Sequence, residues 1–118
     1  MEVTFTYAVN GKRQGTDEKL SLLEAIKKAG EVITNYFPAC LTNKLVEKPT
    51  WIQIVKSDNH DKYVTYGVIL NKDEMFEAKM LTYTTNEVLY KSPSLSQVVD
   101  FLVKNYYLAV AAAYEEIK

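Results

Sequence analysis

One histidine, one cysteine and one arginine are the scarcest reactive groups in this chain of 118 residues, and they bound the chemistry it can carry. Nucleophilic catalysis needs a nucleophile with a base in reach. The histidine, His60, stands in Ser57-Asp58-Asn59-His60-Asp61. Beside Asp58 or Asp61 it would make a general base, but a hairpin tip is polar for reasons of turn geometry, and His60 reads as an exposed turn residue. Cys40 follows Phe37-Pro38-Ala39 with no positive charge beside it to lower its pKa, so it reads as a buried, inert thiol. There is no Cys-x-x-Cys and no second histidine, and the acidic run 58–61 lacks the length and glycine of a calcium loop. Gly11, Gly15, Gly30 and Gly67 are scattered, and none opens a helix after a strand as a phosphate-binding loop does. No catalytic residue, metal site or cofactor is expected.

The residue type that stands out is tyrosine, nine in all. Its large ring and polar tip suit half-buried sheet faces and interfaces equally. Trp51, Tyr63, Tyr66 and Tyr83 are the candidate anchors or stacking platforms of a binding face, and Tyr107 joins them from the last helix. Ordinary β propensity accounts for the same tyrosines, and composition leaves the two readings open.

Fourteen basic against fifteen acidic residues give a net charge of −1, so no global field draws the protein to phosphate backbones or anionic lipid. Thirteen of the basic residues are lysine. Only Arg13 has the forked geometry suited to phosphate or guanine, which leaves nucleic-acid binding without support. Met1 to Val9 carry neither a charged start nor a long apolar run, so no signal peptide or membrane span is expected. A lone cysteine makes no internal disulfide and fits a reducing compartment, so cytoplasm is the expected location.

The elements that must position these residues read as one α+β domain over 1–118, since a chain of this length holds one core. Val3, Phe5, Tyr7 and Val9 alternate with Thr4, Thr6 and Ala8 as a half-buried strand, and Asn10-Gly11 suits a type I′ turn with a short return over Lys12 to Gln14. Ser21 and Glu24 form a capping box ahead of apolar residues at helical spacing, which predicts a helix from Ser21 to Tyr36, stopped by Pro38. The stretch from Pro38 to Pro49 reads as a loop with one helical turn. Trp51–Lys56, Tyr63–Leu70, Met75–Tyr83 and Glu87–Tyr90 read as strands joined by short polar turns, an antiparallel meander. Ser94 and Gln97 suggest a second capping box, and the apolar stripe from Leu95 to Ile117 predicts one uninterrupted helix of about two dozen residues, about 36 Å at about 1.5 Å per residue. The fold expected is an antiparallel sheet of four to six strands with two helices, in the order β(β)-α-β-β-β-β-α.

Two helices cover one face of such a sheet and leave the other to water, a ligand or a second chain. Val103, Tyr107 and 110–113 widen the last helix's apolar surface beyond what one sheet needs, which leaves a face for the first helix to occupy or points to a partner groove or a homodimer seam. The function expected is that of a non-catalytic binding protein, dimeric and acting by protein contact: an inhibitor, adaptor or immunity-type factor of a size that suits phage or mobile-element origin. The alternatives are a single-stranded nucleic-acid binder with Lys56, Lys62 and Lys79 near the backbone, and a small-ligand sponge.

Overall fold

The computed structural model describes residues 1–14, 16–38 and 49–118. The loop with a helical turn and the thiol of Cys40 fall at 39–48, outside the described residues. The elements are β1 Glu2–Val9, β2 Lys12–Arg13, β3 Glu18–Ser21, α1 Leu22–Tyr36, β4 Thr50–Lys56, β5 Asn59–Leu70, β6 Phe76–Leu81, β7 Asn86–Ser92, α2 Leu95–Lys104 and α3 Tyr107–Glu116.

The strands form one antiparallel sheet in the order β2-β1-β4-β5-β6-β7, with β3 also paired to β1. The architecture is α+β as expected, with seven strands and three helices among the described residues instead of four to six and two. Asn10 and Gly11 both take positive φ, 53° and 78°, the conformation a type I′ turn demands of its two central residues. The returning strand β2 is only two residues long, and the chain comes back to the same edge of β1 as β3, pairing Glu2–Phe5 with 18–21. β3 escapes a periodicity reading because it is a mostly exposed edge with Leu20 its one apolar residue.

The capping box of α1 forms as predicted. The Ser21 Oγ accepts from the Glu24 N–H at 3.2 Å, and Glu24 Oε1 accepts from the Ser21 N–H at 3.2 Å. The Ser21 hydroxyl first, then its N–H, hold the Glu24 carboxyl below its ordinary pKa.

The single long helix is corrected to two. α2 ends at Asn105, whose backbone (φ −112°, ψ 25°) leaves the helical region. The Asn105 N–H and its side-chain Nδ2 both donate to the Phe101 carbonyl, at 2.9 and 2.8 Å. The apolar stripe runs through this break because both helices need an inward face, so hydropathy alone does not show it. The available signal was Asn105 itself, whose side chain competes for backbone groups that a helix would otherwise use. The second capping box is also corrected. Ser94 makes no side-chain cap, and Gln97 Oε1 instead accepts from Ser92 Oγ at 2.8 Å.

The three helices lie on one face of the sheet. Val3 and Phe5 from β1, Ile52 and Ile54 from β4, Val64, Tyr66 and Val68 from β5 and Ala78 from β6 meet Ala29, Ile33, Phe37, Val98, Leu102, Ala113 and Ile117 in one core cluster. Full burial of a side chain such as Ile52 or Leu102 contributes about 1.5–3 kcal/mol.

Candidate functional site

Strand pairing sets out in rows the face that carries no helix among the described residues, because directly opposed residues of an antiparallel pair share a face. One row is Thr4, Val55 and Tyr63; the next is Thr6, Gln53, Thr65 and Leu81; the next is Ala8, Trp51, Gly67 and Lys79. Gln53 Nε2 donates to Thr65 Oγ1 at 3.0 Å across the middle row. In the third row a Cβ on Gly67 would stand 2.7 Å from the Trp51 Cα, so the backbones approach as closely here as only glycine permits.

Two hollows flank that Gln53–Thr65 bond. A polar cleft of about 400 Å³ takes Thr4 and Thr6 from β1, Gln53 from β4, His60 and Tyr63 from β5, and Arg13 and Asp17 from the edge around β2 and β3. An apolar hollow of about 190 Å³ is lined by Trp51, Gly67, Ile69, Lys79 and Leu81. Asp17 is anchored above the sheet: its Oδ1 accepts from the nearly buried Thr6 hydroxyl at 3.3 Å and pairs with Arg13.

On the helix side, α3 presents a different surface. Ala109, Ala112, Ala113 and Ile117 are buried, while Tyr107, Ala111 and Tyr114 stand at i, i+4 and i+7 on the opposite side, with the two tyrosines 58% and 40% exposed. Glu115 is the one charged residue beside them within the helix's exposed arc.

The sequence-proposed anchors do not form one surface. Trp51 and Tyr63 share the open face, Tyr83 lies in the β6–β7 turn, 64% exposed, and Tyr107 lies on α3. Tyr66 is corrected: it is 0% exposed and points among the helices, donating its hydroxyl to the Leu102 carbonyl at 2.9 Å, so it is no surface anchor. That carbonyl belongs to the last turn of α2, where a helix lacks its own donors, so the hydroxyl satisfies a group the helix break leaves open. Burial, and secondarily the neighbouring Tyr107, push the Tyr66 hydroxyl well above its ordinary pKa. Of the three lysines suggested for nucleic acid, only Lys79 lies in register with the open face; Lys56 pairs with Val3 on the opposite side, and the Lys62 Nζ donates to the Lys118 carbonyl at 2.6 Å.

Arg13, Asp17, Gln53 and Thr6 were missed as site residues. None belongs to a motif, and the one available signal was that Arg13 is the chain's only arginine. Among the described residues no group of three or more His, Cys, Asp or Glu side chains is placed to hold a metal, and no helix is long and apolar enough to cross a membrane. Comparison with protein-family models, with curated proteins and with solved structures gives no match to this chain.

Proposed function

We propose that this protein is a non-catalytic binding module that acts by protein contact, with the outer stripe of α3 as its contact surface and a second copy of the chain as the first occupant. The observation that carries the reading is that α3 has almost no polar face. Its buried side packs on the sheet, and its outer side offers Tyr107, Ala111 and Tyr114 to solvent. Exposed tyrosines of this kind are the usual anchors of interfaces, since they bury a large ring and order few rotors. The stripe is also self-complementary. A two-fold axis at Ala111 sets the two small residues against each other, so that the helices approach closely and each Tyr107 lies beside a second Tyr114. Such a module, an inhibitor, adaptor or immunity-type factor, works by covering a surface and needs no reacting group.

Size-exclusion chromatography with light scattering tests this. The expected mass is twice 13.5 kDa, and Ala111→Glu, which places a charge at the centre of the seam, is expected to halve it while the far-ultraviolet circular dichroism stays unchanged. A wild-type chain that remains monomeric at high concentration overturns the self-association.

A further inference from the structure

We infer that the polar cleft on the open sheet face is a binding site for a small, neutral, hydroxyl-rich ligand, a sugar or polyol ring. The chain's only arginine and only histidine reach this cleft from opposite sides, Arg13 from the sheet edge and His60 from β5. Most of the cleft's polar groups are committed on one side and open on the other. Asp17 spends Oδ1 on Thr6 and Arg13, and its Oδ2 has no protein donor among the described residues. Gln53 spends Nε2 on Thr65, and its Oε1 is likewise open. The open donors are the Tyr63 hydroxyl, the remaining Arg13 N–H groups and the His60 ring.

This alternation selects the ligand. Arg13 is neutralised by Asp17, and the open carboxylate oxygen repels a phosphate or carboxylate, so the cleft holds no net attraction for an anion. A hydroxyl both donates and accepts and satisfies such a lining group by group. The Tyr63 ring adds an apolar wall for the C–H side of a sugar, and about 400 Å³ falls within the usual size of small-molecule sites. Cleft residues on three adjacent paired strands, with Asp17 tied down by two donors, are held in place before any ligand arrives. The apolar hollow with Trp51, just across the Gln53–Thr65 bond, would receive an apolar substituent on the ring. The cleft lies across the sheet from α3, so this inference and the contact reading fail independently.

The test is an amide-resolved NMR titration of the full chain with methyl and phenyl glycosides of glucose, galactose and mannose to about 50 mM, covering the weak-affinity range, and with sodium phosphate in parallel. The expected result is saturable shifts at Arg13, Asp17, Gln53 and Tyr63 with at least one glycoside, tighter for its phenyl form. Gln53→Ala and Tyr63→Ala are expected to weaken it by about tenfold, the loss of one good contact, with the amide spectrum and melting temperature of each of the two variants checking that its fold is intact. The inference is overturned if no glycoside moves these amides, if phosphate saturates them and glycosides do not, or if binding survives both alanine variants.

Discussion

On β5, Tyr63 and Tyr66 stand three residues apart and meet opposite surroundings. Tyr66 faces the helices, fully buried, with its hydroxyl on the Leu102 carbonyl. Tyr63 faces the open side, half-buried, with its hydroxyl open at the cleft. The two faces of one strand thus divide the labour: one residue closes the core and caps a helix end, the other is available to a ligand. The same division holds for two glycines. Gly67 lies where backbones crowd, whereas a Cβ on Gly30 in α1 would meet only the ring of Tyr106, at 3.6 Å.

Substitutions at these pairs can break or sharpen the contrast. Tyr66→Ala removes a fully buried ring and leaves the Leu102 carbonyl without its donor, with an expected loss of about 3–5 kcal/mol in urea unfolding, against about 1 kcal/mol for Tyr63→Ala. Equal losses would dissolve the distinction between the faces. Gly67→Ala is expected to cost about 1–3 kcal/mol, because the Thr50–Trp51 backbone must move away from position 67.

Alkaline titration, compared between the wild-type chain and Tyr66→Phe, probes the core tyrosine. The unfolded chain ionises Tyr66 near the ordinary tyrosine value of about 10, and the folded chain only at higher pH, so the stability held below that value is lost as pH rises through the folded pKa. Tyr66→Phe should cost about 1–2 kcal/mol at neutral pH and flatten that decline. An undiminished decline in the variant would assign it to other groups. The smallest effect has the opposite sign: Gly30→Ala is expected to stabilise by about 0.5–1 kcal/mol, since the helix interior gains an alanine in ordinary contact with Tyr106.

Much of the architecture was legible from residues alone. The Ser21–Glu24 capping box, the Asn10-Gly11 turn and the alternation of β1 are local, and each states its own structure. The four meander strands read correctly to within a few residues, apart from β5, whose start at Asn59 is hidden in what reads as a polar turn. The break at Asn105 was not legible from hydropathy, because apolar periodicity continues through it; Asn105 was its one local signal, and the Tyr66 hydroxyl that satisfies the Leu102 carbonyl comes from a distant strand.

The candidate site divides the same way. Composition and spacing alone determine the alternating strands and the apolar stripes of the helices. In β1, where Val3 and Phe5 oppose Thr4 and Thr6, they also determine which face turns inward. In β5 they do not, since Tyr63, Thr65, Gly67 and Ile69 are nearly as apolar as Val64, Tyr66 and Val68, and only the register against β4 assigns each set to a face. Arg13, Asp17, Gln53 and His60 meet because β1 lies between its own hairpin edge and β4. That adjacency is a long-range pairing, set by the burial of the whole sheet under three helices, and no local stretch of the chain encodes it.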